Sequence, residues 1–175
     1  WPIGLALAAC AWAGAAVNGH LLPLRHLVEG AMSYLDPLLV IATALVLMRV
    51  LTDGGAFAAI GGAVERAFGD RPALLVPAVM LLVMFPGMIT GSSTASVLTT
   101  GVMAVTILTG LGLEAERAAA FVAMGGVLGM VAPPINIPAM IVGAGLDLPY
   151  AGFGFPLAVI AFPTALATGY LLAAP

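Results

Sequence analysis

A chain of 175 residues that is 62% hydrophobic and 7% charged, with a mean hydropathy of +1.17, cannot cover an aqueous surface, because soluble domains carry roughly 25% charged residues. It reads as an integral membrane protein. Eight acids against five arginines, with no lysine, give a net charge of −3 and exclude a nucleic-acid partner, which needs a basic stripe.

Ile3 to Val17 is apolar and alanine-rich and reads as a membrane helix, bounded by Pro2 and by Asn18-Gly19-His20. Cys10 lies inside it, so no intrachain disulfide forms and no metal cluster is expected. The chain opens on Trp1 with no cationic segment before this run, so no signal peptide is expected and the chain reads as part of a longer one. Leu24 to Tyr34, with Arg25, His26 and Glu29 among leucines, fits an amphipathic helix in the interface. Both histidines, His20 and His26, are expected to be solvated there. Asp36-Pro37 predicts an N-cap with proline at the first helical position, and a helix to about Leu51. Arg49 near its end must reach toward the headgroups.

Thr52-Asp53-Gly54-Gly55 predicts a turn. In Ala56 to Phe68, Phe57, Ile60, Val64 and Phe68 recur at helical spacing and predict a second interfacial helix. Pro72 to Leu113 carries no charge and no histidine. At about 1.5 Å per residue it is long enough to cross a core of about 30 Å twice. A Gly-Ser-Ser-Thr cluster near its middle predicts a hairpin, with Pro77 and Pro86 kinking the first limb. Glu114 and Glu116 open the next helix, where carboxylates favour the macrodipole. That helix stops at Ala132-Pro133-Pro134. A short helix, Ile137 to Gly143, follows, with Asp147 and Pro149 at an interface. Tyr150 to Leu172 is a last span interrupted by Pro156 and Pro163. Arg49, Arg66, Arg71 and Arg117 all fall on the side of the hairpin's ends, which the positive-inside tendency puts in the cytoplasm. The serines of the tip are then expected near the midplane.

Two interruptions organise this chain, Thr90-Gly91-Ser92-Ser93-Thr94-Ala95-Ser96 and Gly129 to Asn136. Broken backbone survives at membrane depth only where protein buries it or where it lines a polar cavity. At the first, hydroxyls, carbonyls and free N–H groups meet between two helix ends. Carbonyls at a C-terminus suit Na⁺ and N–H groups at an N-terminus suit carboxylate. At the second, Pro133 and Pro134 have no N–H, so the carbonyls of Gly129 and Met130 lose their helical partners. Asn136 can cap the next half-helix or coordinate. Such oxygens make a hard-cation site without a fixed carboxylate. Bland readings stand beside this one: Gly91, Ser92, Ala95 and Ser96 also suit close helix packing, and a double proline also serves as a kink.

At these breaks the sequence resembles the large membrane subunit of TRAP transporters, the DctM-like permeases of the ion-transporter superfamily. The resemblance runs from about Asp36 to Gly145, through Leu51-Thr52-Asp53-Gly54-Gly55, Gly91-Ser92-Ser93-Thr94-Ala95 and Ala132-Pro133-Pro134-Ile135-Asn136. It departs at Thr90, where the family commonly has serine, and at Ile135-Asn136, where serine usually follows the prolines. The fold it implies is an all-α integral membrane half-repeat with a re-entrant helical hairpin and a discontinuous helix. Residues 1–175 would be one half of a larger permease: 1–70 scaffold and interfacial arm, 71–146 hairpin and broken helix, 147–175 a closing span. The resemblance implies Na⁺-coupled uptake of small carboxylates, of C4-dicarboxylate or sialic-acid type, by an elevator motion in the bacterial inner membrane. A small membrane subunit and a periplasmic substrate-binding protein would be partners, and no cofactor is expected beyond the coupling Na⁺. The site residues implied are Thr90, Gly91, Ser92, Ser93, Thr94, Gly129, Ala132, Pro133, Pro134 and Asn136, with Na⁺ at Ser92, Ser93, Pro133 and Asn136.

Other functions remain beside it: an anion symporter of the superfamily that uses no binding protein, or a re-entrant-loop channel. The sequence has no repeated carbonyl-filter motif and no acid near the tip. An enzyme is not expected, because no histidine follows His26 to serve a serine nucleophile and no H-E-x-x-H or G-x-S-x-G pattern occurs.

Overall fold

The computed structural model describes residues 2–20 and 23–174, whose regular elements are all helices, with no strand among them. They fall into two compact units, divided along the chain between Asp36 and Pro37. The first holds α1 (Ile3–Val17) and α2 (Leu24–Ser33). None of the described residues of either helix is buried. In α2, Arg25 Nε pairs with Glu29 Oε1 at 2.7 Å, and the exposed His20 and His26 rings meet edge to face at 5.1 Å.

The second unit contains α3 (Leu35–Asp53) from Pro37 onward, α4 (Ala56–Phe68), α5 (Pro72–Thr90), α6 (Ser93–Gly110), α7 (Ala115–Val131), α8 (Ile137–Gly145) and α9 (Gly154–Ala173). A 3-10 turn at Tyr150–Phe153 leads into α9. Helix α5 is hydrophobic all round, as a central helix must be. Its Val79, Met80, Val83 and Met84 are fully buried, and Phe121 of α7 joins them in the core. Around it, α6, α7 and α9 pack on α5 or α7, and α4 packs on α5 and α6. Hydrogen bonds fix the directions. Tyr170 Oη donates to the Ala73 carbonyl at 2.7 Å and an Arg117 amine donates to the Leu171 carbonyl at 3.4 Å, so the end of α9 lies beside the starts of α5 and α7. At the opposite end, the Ile135 N–H reaches the Met88 carbonyl. Helices α5 and α7 therefore run parallel, and α6 and α9 return.

Leu35–Asp53, Pro72–Thr90, Ser93–Gly110 and Tyr150–Ala173 are long and apolar enough to cross a bilayer. Lipid tails are as apolar as leucine, so association among such helices depends on close packing more than on hydrophobic drive. Small residues supply it. A methyl on Gly129 of α7 would run into the backbone of Met84, and one on Gly125 would lie 2.7 Å from Val83 Cγ1. Pro77 deprives the Ala73 carbonyl of its amide, and the Tyr170 hydroxyl supplies the missing donor. Helix α5 runs unbroken through Pro77 and Pro86.

Several boundaries differ from those expected. Helix α3 begins at Leu35, so Asp36 and Pro37 lie in its first turn rather than before it. First-turn amides have no intrahelical acceptor, so proline costs nothing there. Thr52 and Asp53 stay helical, held by Arg49 Nε–Asp53 Oδ2 at 2.8 Å and Thr52 Oγ1–Met48 O at 2.8 Å. The turn is Gly54-Gly55, with Gly55 at φ +69°. In α4, Phe57 and Gly61 are buried and Ile60 faces outward; the Met103 side chain of α6 lies where a side chain on Gly61 would sit. Helix α8 continues two residues past Gly143, and Pro156 sits in the first turn of α9 rather than interrupting it. Pro163 lies within α9, which continues through it.

Candidate functional site

Residues within four positions close the first break. Thr90 ends α5, and Gly91 takes φ +64°, a left-handed conformation that glycine adopts without penalty. The Gly91 N–H donates to the Gly87 carbonyl at 2.7 Å. Thr90 Oγ1 donates to the Pro86 carbonyl at 2.8 Å and accepts from the Ser92 N–H at 3.3 Å. Ser92 is the N-cap of α6, its Oγ accepting from the Ala95 N–H at 3.3 Å. Ser93 thus opens the second limb.

The second break draws on distant partners. Pro133 and Pro134 donate nothing, and the bond between them is cis. The Ile135 N–H crosses to the Met88 carbonyl of α5 at 3.1 Å. The Asn136 N–H donates to Tyr150 Oη at 2.8 Å, and that hydroxyl donates to the Pro134 carbonyl at 2.8 Å. The Asn136 side chain ties both half-helices together. Its Oδ1 accepts from the Ala139 N–H at 2.9 Å, capping α8, while Nδ2 donates to the Val131 carbonyl at 2.9 Å at the end of α7.

The two breaks lie at one end of the four-helix core and touch. A methyl on Gly91 would lie 2.7 Å from Ile137 Cγ1 and 3.3 Å from Ile135 Cγ2. Thr90, Gly91, Gly129, Ala132 and Asn136 are buried; Ser92, Ser93 and Pro133 are half-buried; Thr94 and Pro134 are exposed. The start of α6 also lies on α7, since a methyl on Gly126 would be 3.1 Å from the Ser93 carbonyl. Just beneath, Ser96 Oγ fills the space that a Gly87 side chain would take. It is fully buried with no hydrogen-bond partner among the described residues. No charged side chain belongs to either break. The polarity of the region comes from hydroxyls and helix ends: C-termini of α5 and α7, N-termini of α6 and α8. An apolar groove of about 460 Å³ runs between α3 (Val40, Thr43, Ala44, Leu47) and the breaks (Ile89, Pro134, Ile135).

Sequence reasoning missed Tyr150, placed only as the start of a span, and the amide-to-carbonyl link from Ile135 to Met88. Only Tyr150 left a signal: a lone polar ring just after the Asp147–Pro149 turn.

Over residues 1–174 the sequence matches one protein family, the Tripartite ATP-independent periplasmic transporter, DctM component. The chain belongs to this family. It is therefore a membrane-embedded component of a secondary transporter, from a family of transport components rather than of enzymes that works with partner subunits and a binding protein. No curated protein and no solved structure matches the chain significantly.

Proposed function

We propose that the paired breaks bind a Na⁺ ion and the carboxylate of a small substrate, and that the subunit performs Na⁺-coupled uptake of C4-dicarboxylate or sialic-acid type acids. The observation that carries this reading is the Ile135–Met88 hydrogen bond, which joins the break after α7 to the end of α5 beside the hairpin turn. The carbonyls that Pro133 and Pro134 leave without amides, with Ser92, Ser93 and Asn136 oxygens, supply hard donors for Na⁺. The N-termini of α6 and α8 supply partial positive charge for the carboxylate.

The chain then forms one inverted repeat of the permease, in which a hairpin and broken helix move as an elevator against scaffold helices. At 19 and 18 residues, each hairpin limb measures about 28 and 27 Å. A re-entrant tip at the midplane therefore requires the arginine-bearing ends of the core to stand out in the cytoplasm. A small membrane subunit and a periplasmic binding protein deliver the substrate at the bacterial inner membrane.

The test is uptake by the complete transporter in proteoliposomes. Substrate should accumulate only with an inward Na⁺ gradient and its binding protein, and Ser92→Ala and Asn136→Ala should weaken the Na⁺ dependence. Equal uptake with choline in place of Na⁺ overturns the coupling; full uptake without a binding protein overturns that partner.

A further inference from the structure

Tyr150 Oη occupies two backbone groups of the second break at once, the Asn136 N–H and the Pro134 carbonyl, each at 2.8 Å. Neither group has a helical alternative. Asn136 precedes the first turn of α8, so its N–H has no acceptor within that helix. Pro138, four residues past Pro134, has no N–H to offer its carbonyl. In a low-dielectric setting both must find a partner or the segment must turn until they do. The tyrosine reaches them from the 3-10 turn before α9, its ring stacked on Phe153 at 6.3 Å with 20° between planes.

We propose that Tyr150 is a positioning residue for ligand binding: its hydroxyl holds residues 134–136 in the geometry that presents the Asn136 side chain and the opened α7 carbonyls to the ion. This rests on the reading of the breaks as the binding site. A binding constellation loosened by about 0.5 Å loses much of its affinity, and the latch sets where Asn136 stands. The hydroxyl's single proton goes to Pro134 and one of its lone pairs to Asn136, so its bonds go to holding the backbone.

Tyr150→Phe in the complete transporter removes only the hydroxyl and keeps the ring on Phe153. Amide exchange in the segment containing Asn136 should speed up without Na⁺ present, and the half-saturating Na⁺ concentration for uptake should rise about tenfold. Maximal uptake at saturating Na⁺ should stay near wild type. A purely structural role would lower yield or melting temperature and leave the Na⁺ requirement unchanged. Unchanged exchange at Asn136, or a half-saturating Na⁺ concentration within twofold of wild type, overturns the proposal. If wild-type uptake ignores Na⁺, the coupling reading fails by itself, and Tyr150 is then judged on the substrate KM. A rise in that KM upholds the positioning role, and an unchanged KM overturns it.

Discussion

The two breaks solve the same problem by different means. Between α5 and α6, residues from Pro86 to Ala95 satisfy one another: a left-handed glycine, a threonine turned back on its own helix and a serine cap. Between α7 and α8, nothing local suffices, because two consecutive prolines remove two donors. Met88 and Tyr150 have to supply partners from elsewhere in the chain. A self-contained turn can be carried as a rigid tip. A break completed by other elements responds when those elements move. The second break is thus the place where helix displacement can alter the geometry of the proposed site.

Gly129 provides the harshest test, because it packs against the backbone of α5. A methyl there would meet the Met84 backbone, with the Met84 Cα only 2.8 Å away. Backbone cannot swing aside as a side chain does, so Gly129→Ala must push the helices apart, at a cost of about 3 kcal/mol. Little monodisperse permease should be recovered, and both breaks should fail together. A Gly129→Ala protein with wild-type melting temperature would show that the helices are not packed this closely.

Gly91→Ala acts on the self-contained break and on the Ile137 side chain packed against it. Its methyl meets Ile137 Cγ1 at 2.7 Å in a backbone conformation of φ +64°, and together these cost about 2 kcal/mol. The side chain of Ile137 can yield, so the protein should fold with a lowered melting temperature while uptake falls far more than yield.

Much of this arrangement was readable from the residues. Pro72 at the start of α5, Gly91 in the tip and the stop at Ala132-Pro133-Pro134 follow rules that act within one turn of helix. Helix α4 lies at its expected boundaries for the same reason. What escaped depends on tertiary partners. Ile60 fits the apolar spacing of α4, yet Gly61 is buried because Met103 of α6 needs its space. Asp36 has the chemistry of an N-cap, but proline is tolerated anywhere in a first turn, and the helix starts earlier. Asn136 read equally as cap or ligand; it does cap α8, and its amide nitrogen adds a bond back to α7 that no local rule demands.

Comparing the two caps sharpens the contrast. Asn136→Ala removes an N-cap and the Val131 bond together, for about 2 kcal/mol. Ser92→Ala removes one cap at 3.3 Å in a half-buried position, so about 0.5 kcal/mol is expected. Chemical or thermal melts of the two variants should rank in that order. Equal losses would mean that the second break does not depend on its cross-links. Tyr170→Phe extends the comparison to the far end of the core, where the hydroxyl replaces the amide that Pro77 lacks. It should cost about 1 kcal/mol and leave the Na⁺ requirement alone, unlike Tyr150→Phe.

The smallest effect should also have the opposite sign. Ser96 Oγ is buried against Gly87 with no partner among the described residues, and an unsatisfied buried hydroxyl costs about 1 kcal/mol or more. Ser96→Ala deletes that cost and leaves only the space of one oxygen, so the melting temperature in Na⁺-free detergent should hold or rise slightly. The same variant measured with Na⁺ asks whether the hydroxyl belongs to the first break's chemistry. If Na⁺ raises the melting temperature of wild type but not of Ser96→Ala, the hydroxyl is an ion ligand, and the self-contained break reaches one helical turn deeper into the core. If both respond alike, Ser96 is only the small residue that lets α6 settle on Gly87, and ion binding is confined to the residues around the two breaks.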